Sequence, residues 1–294
     1  MPAGWFLLGA PWDSSGSGRG EQAAPDALRA RGLARLVERD LGDAVTLVES
    51  TTRDEHTGVL ALPESVRAAR ALTSALATGM GDAPDQRPLV VGGDCSILLG
   101  IVPALRRHVG PIGLWFFDGH PDYLDGADSD TGETADMDLA VLTGVGATAL
   151  ITLAGAPPMI DLADVVLIGH RTTALEPAAA AEVARMPAEL RRIDATAVIR
   201  DPGAAGEQAG AWLAGAGRGS WLHLDLDVLD PVACPAVTYP QPGGLGWDDL
   251  AAVLEPIAGS PRLLGISVAD FRPDLDPSGA LADRLVDLLK DLLS

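Results

Sequence analysis

The sequence predicts an α/β fold, a three-layer αβα sandwich around a central, mostly parallel sheet. Short apolar runs ending in glycine or aspartate alternate along the chain with Ala-, Leu- and Arg-rich stretches of helical period, the pattern of parallel strands joined by crossover helices. The chain has 294 residues, 47% hydrophobic and 21% charged, enough to enclose a large apolar core and too apolar for a disordered polymer.

Taken in order, the apolar run 5–8 predicts the first strand and 25–31 the first helix, and a strand at 45–48 with a helix at 65–76 repeats the unit. Leu89-Val90-Val91 then leads through a glycine turn to an apolar helix at 97–107, and the next strand, 112–117, ends in a polar loop. The uncharged stretch 139–156 has the length of a short membrane span, but Thr143, Gly144, Gly146, Thr148 and Thr152 interrupt it and Pro157-Pro158 ends it. A buried helix, a glycine turn and a strand account for it better. Strands at 165–168 and 197–200 enclose a helix at 182–186; helices at 205–214 and 247–257 precede strands at 221–224 and 263–268; a helix at 280–293 closes the chain. No stretch has the composition of an interdomain linker, so residues 1–294 read as a single domain.

Charge narrows the function. Lysine and arginine total 21 against 41 acidic residues, a formal charge of −20. Such a chain repels nucleic acid and anionic membrane surfaces and attracts cationic small molecules and metal ions. The two cysteines, Cys95 and Cys234, are too few for a disulfide framework, and the first ten residues lack the positive charge of a secretory signal, so a cytoplasmic location is expected.

In open parallel sheets ligands bind beyond the carboxyl ends of the strands. Three strand ends here carry unusual residues. Leu89-Val90-Val91 runs into Gly92-Gly93-Asp94-Cys95-Ser96; alone, such a turn is ordinary structure, presenting Asp94 or Cys95 at the sheet edge. The strand at 112–117 runs into Asp118-Gly119-His120-Pro121-Asp122, where extended backbone sets Asp118, His120 and Asp122 on one side as half a divalent-metal site suited to Mn²⁺ or a neighbouring metal. The strand at 221–224 runs into Asp225-Leu226-Asp227, two carboxylates sharing an otherwise buried face, with Asp230 before Pro231 as a turn residue. His223 is read as lying off that face, a core or interface histidine. Asp118, His120, Asp122, Asp225 and Asp227, with Cys95 as a sixth group, suffice for two ions, which activate a water for hydrolysis.

At these residues the chain resembles the ureohydrolases, the arginase, agmatinase and formiminoglutamase family, whose signatures are G-G-D-H-S, D-A-H-x-D and S-x-D-x-D-x-x-D-P. Here they read G-G-D-C-S, D-G-H-P-D and L-H-L-D-L-D-V-L-D-P, in the same order. Gly9-Ala10-Pro11-Trp12-Asp13 and Gly265-Ile266-Ser267-Val268-Ala269-Asp270 extend the likeness to both ends. The resemblance implies a metal-dependent hydrolase that cleaves a C–N bond of a linear guanidine or amidine by attack of metal-bound hydroxide. It implies that Asp118 and Asp225 bridge the metals, that His120 and Asp227 complete one site, and that Cys95 and Asp122 complete the other. Asp122 is the expected catalytic proton carrier, Asp270 the partner of the substrate cation, and Thr131 either a substrate contact or a turn residue. The expected cofactor is a divalent metal, Mn²⁺ in the family pattern, one or two per chain; family members commonly form homo-oligomers.

The departures point to substrate. Cys95 replaces the first motif's histidine and is a softer donor that favours Zn²⁺, Fe²⁺ or Co²⁺. Ala135 stands where arginases place a proton-shuttling histidine. Family members with this cysteine are associated with hydroxylated guanidines, so N-hydroxy-L-arginine, giving hydroxyurea and ornithine in antibiotic biosynthesis, is the specific expectation. Alternatives are arginase, agmatinase or formiminoglutamase activity, a single-metal zinc deacetylase of related architecture, or a metal-poor, non-catalytic family member.

Overall fold

The computed structural model describes residues 4–215 and 217–294. Strands β1 (Gly4–Ala10), β2 (Arg39–Asp43), β3 (Gln86–Gly92), β4 (Gly113–Phe117), β5 (Val165–Ile168), β6 (Arg191–Ile193), β7 (Ser220–Asp225) and β8 (Leu263–Ala269) form one sheet in the order β2-β1-β3-β8-β7-β4-β5-β6. Every pairing is parallel, where the sequence predicts a mostly parallel sheet. The helices are α1 (Ala24–Ala30), α2 (Leu62–Asp82), α3 (Leu98–Val109), α4 (Asp138–Leu142), α5 (Thr148–Ile151), α6 (Pro177–Arg185), α7 (Ala195–Arg200), α8 (Pro202–Ala214), α9 (Trp247–Ala258) and α10 (Ala280–Leu292). Among the described residues no helix is long and apolar enough to cross a membrane.

Alternate side chains of each central strand feed two cores. Leu7, Leu89, Trp115 and Leu222 pack with α1, α8, α9 and α10, whereas Phe6, Val90, Phe116 and Trp221 pack with α2, α3, α4 and α5. Covering both faces makes β4, Gly-Leu-Trp-Phe-Phe, buried at every position, so it reads as a continuous apolar run.

Three expected elements differ. The expected strand at 45–48 is irregular; the edge strand lies earlier, at β2, whose pairing with β1 ends at Gly9 and Asp43. An edge strand needs little apolar content, and β2 is mostly exposed, whereas the apolar Val45 and Leu47 point to solvent. The expected strand at 197–200 is helix α7, because the Asp194 side chain accepts from the Ala197 N–H and caps a helical turn; the opposite edge strand is β6. The stretch 139–156 forms a buried helix and a glycine turn as expected, but α5 stands where a strand is predicted, since Ile151 N–H closes a helical turn onto Ala147.

Candidate metal centre

The order of the sheet puts β3, β8, β7 and β4 side by side, and the residues leaving their carboxyl ends meet at one edge. At the end of β3 a Cβ on Gly93 would lie 1.6 Å from the Trp12 carbonyl oxygen, so only glycine fits. Asp94 is committed to the turn: its carboxylate accepts from the Ser96 N–H at 3.0 Å and the Ser14 N–H at 2.5 Å. Cys95 is the group left facing inward. Its Sγ touches Asp225 and lies 3.7 Å from Asp118 Oδ2.

Beyond β4 the chain turns instead of staying extended. Asp122 has φ +47°, in the left-handed region, so the segment is not extended throughout, but Asp118, His120 and Asp122 all line one cavity. Asp118, His120 and Asp227 offer ligand atoms within 4.8 Å of one another, as do Cys95, Asp118 and Asp122, leaving Asp118 common to both groups. Beyond β7 a 3₁₀ turn at Leu226–Val228 replaces the expected alternation; Asp225 caps it by accepting from the Asp227 N–H at 2.7 Å. Asp227 then accepts from the Gly119 N–H at 2.8 Å and faces His120 Nδ1 at 2.7 Å. Beyond β8, Asp270 also has a left-handed φ, +62°, and its carboxylate accepts from the Thr238 N–H.

These groups floor a cavity of about 470 Å³. Thr131 and Ala135 line its wall, but the Thr131 hydroxyl donates to Asp136 at 2.6 Å, a turn-forming role. Several residues without a local sequence signal also contribute. Arg19 pairs with Glu133 at 2.7 Å and lies over the Tyr239 ring, and Glu182, on α6, accepts from the Tyr123 N–H. Arg171 lies beneath the site and donates to the carbonyls of Gly169, Asp227, Val228, Leu229 and Gln241, clamping the loop after β7. Asp138, at the start of α4, is fully buried, and among the described residues neither carboxylate oxygen has a hydrogen-bond partner.

His223 corrects the reading that placed it off the carboxylates' face. Residues two apart in a strand share a face, so His223 lies on the side of Asp225, and a ring nitrogen comes within 4.8 Å of both Cys95 and Asp225.

Burial and mutual repulsion dominate the electrostatics. Burial, then the charge of Asp227, raises Asp118 to about 7, and burial, then Asp118, pushes Asp122 well above the carboxylate range. Asp225 and Asp270 are likewise raised by burial and then by Asp227. Burial opposes ionisation of Asp227 too, but His120 outweighs it and holds Asp227 at about 2. Among the described residues no lysine or arginine pairs with Asp118, Asp122, Asp225 or Asp270. The donor set therefore fits divalent cations, which would relieve this repulsion.

A pH dependence follows. Folded Asp118 holds its proton more tightly than the unfolded chain does, so its contribution to stability is complete below about pH 4 and is lost as pH rises through about 7. Chelator-treated protein is expected to melt lower at pH 8 than at pH 5, and Mn²⁺ is expected to restore the loss at pH 8; a melting temperature insensitive to both would contradict the assignment.

The arginase-family model matches residues 3–293. Over 296 residues the chain is 30% identical to an arginase of Brevibacillus brevis, covering 97% of this chain and 96% of that protein. It is 28% identical over 302 residues to an arginase of Bacillus subtilis, covering 98% and 96%. The solved structure of the Bacillus caldovelox arginase superposes with a TM-score of 0.86 at 27% identity, covering 98% of this chain and 97% of that one.

Proposed function

This chain belongs to the arginase family of metal-dependent hydrolases acting on guanidino and amidino groups, and from that premise we propose that its substrate is a linear guanidine and its cofactor a divalent metal pair, Mn²⁺ in the family pattern. The carrying observation is the meeting of Asp118, Asp122, Asp225 and Asp270, buried and without a lysine or arginine partner among the described residues, around one cavity. Asp118 and Asp225 would be shared between the ions, with His120 and Asp227 serving one and Cys95 and Asp122 the other. When bound, the metals supply a water acidic enough to act as nucleophile at neutral pH and polarise the carbon it attacks.

The chain's own residues supply orientation and proton transfer. Asp270, held by the Thr238 N–H, presents a short carboxylate to a planar cation, for which a two-point contact is geometrically matched. Asp122 lies beside Asp118 at the cavity floor and would take a proton from the attacking water and deliver it to the leaving nitrogen. The acidic wall, with the chain's net charge of −20, draws a cation inward.

Within this class we favour N-hydroxy-L-arginine, hydrolysed to hydroxyurea and L-ornithine. Support comes from Cys95 and from Ala135 in the cavity wall, where the shuttling histidine of arginases is missing. With the Mn²⁺-loaded protein, kcat/KM for N-hydroxy-L-arginine is expected to exceed that for L-arginine by at least about tenfold, a difference of about 1.4 kcal/mol in barrier. Equal values, or release of urea from L-arginine as the faster reaction, would favour the arginase reading.

A further inference from the structure

We propose that His223 is a metal ligand, which supplies from β7 the imidazole that the turn after β3 lacks. The inference rests on the metal-hydrolase reading above and adds a residue to its site. The first signature has histidine where this chain has Cys95, and the third has serine where this chain has His223. The two departures meet in space: Cys95, His223 and Asp225 offer ligand atoms within 4.8 Å of one another, all buried.

The imidazole is arranged as a ligand. Its ring stacks on Phe116, and Nδ1 lies 2.8 Å from Ser267 Oγ on β8, which also accepts from Trp221 Nε1 at 2.8 Å. Nε2 is buried and, among the described residues, has no hydrogen-bond partner. An unpartnered buried polar atom costs about 1–3 kcal/mol, which an ion at Nε2 would recover. Metal-bound histidines usually fix their tautomer by donating the second ring N–H to a neighbour, and here Ser267 Oγ is placed to accept it from Nδ1.

Bonds of roughly 2.0–2.3 Å set two ligands of a tetrahedral ion about 3.3–3.8 Å apart, so ligand atoms grouped within 4.8 Å need to close by no more than about 1.5 Å. The resulting inner site is sulfur, nitrogen and oxygen, softer than the outer site of Asp118, His120 and Asp227. It should select Co²⁺ or Zn²⁺ over Mn²⁺.

The test is Co²⁺ uptake by chelator-stripped protein, read by elemental analysis after gel filtration and by the thiolate-to-cobalt charge-transfer band. His223→Asn retains a hydrogen-bonding group toward Ser267 but lacks Nε2. The wild type is expected to bind two equivalents; His223→Asn is expected to retain one and to bind the second at least about 100-fold more weakly, a larger loss than most outer-shell changes cause. The exchange Cys95→His with His223→Ser, which restores the family pattern, is expected to recover both. Side-chain ¹⁵N spectra of wild-type protein with Zn²⁺ need no variant: of five histidines, His120 and His223 are expected to shift as metal ligands. Two tightly bound equivalents with an unchanged band in His223→Asn, or an unmoved His223 resonance, overturn this inference and leave the hydrolase reading standing; a wild type that binds no metal overturns both.

Discussion

Asp225→Asn is expected to lose at least about three orders of magnitude in kcat/KM and one equivalent of metal, yet its metal-free form should melt higher than metal-free wild type at pH 8. The activity loss corresponds to the several kcal/mol of charge stabilisation and water activation that a metal contributes to a hydrolytic transition state. The gain in stability has a separate source. Asp225 is buried at the convergence of Asp118, Asp227 and Asp270, and burial with those like charges resists its ionisation. Asparagine keeps an oxygen that can accept from the Asp227 N–H, so the turn after β7 retains its cap. Removing one carboxylate from this cluster relieves roughly 1–3 kcal/mol of repulsion and desolvation, or about 2–6 °C at this chain length. A carboxylate placed for structure alone would show the opposite: unchanged metal content and a lower melting temperature. Melting curves with and without chelator, beside metal analysis of the same samples, separate the two cases.

The residues gathered at the site were largely legible in sequence because each follows an apolar run that could only be a buried parallel strand. Asp118, Asp225 and Cys95 are examples: a carboxylate directly after Phe117 or Leu224, or a thiol two residues after Gly93, lies at a strand's carboxyl end whatever the loop does. What the loop does was not legible. The left-handed φ of Asp122 and the 3₁₀ turn after Asp225 are set by contacts with other segments, among them Ala140 N–H on the Asp122 carbonyl and the arginine clamp beneath Asp227. The edge strands β2 and β6 were misplaced because their ladders need little apolar content. Arg19, Glu133 and Arg171 were missed because their partners lie far away in sequence, more than a hundred residues for Arg19 and Glu133. His223 had a signal, the two-residue step to Asp225, which was assigned to the wrong face.

Gly93→Ala is expected to destabilise the protein by at least about 3 kcal/mol and to disorganise the centre although residue 93 contacts no substrate. The added Cβ would lie 1.6 Å from the Trp12 carbonyl oxygen, a backbone atom that no rotamer change can move. The peptide that must shift holds three strands in register: Gly93 N–H donates to Ala10 at 3.0 Å, Asp94 N–H to Trp12 at 3.1 Å, and the Gly93 carbonyl accepts from Asp270 N–H at 2.7 Å. Cys95 follows two residues later, and Asp270 hangs from the last of these bonds. One methyl group therefore reaches a proposed metal ligand and the proposed substrate carboxylate together, so KM should rise and bound metal fall along with stability. Gly81→Ala, in α2 with nothing within 4 Å of the added Cβ, is the control and should stabilise by about 0.5–1 kcal/mol through helix propensity. Denaturant unfolding of both variants measures the contrast. If Gly93→Ala unfolds at the denaturant concentration of the wild type and keeps its metal, the close approach of Gly93 to Trp12 does not hold the site together.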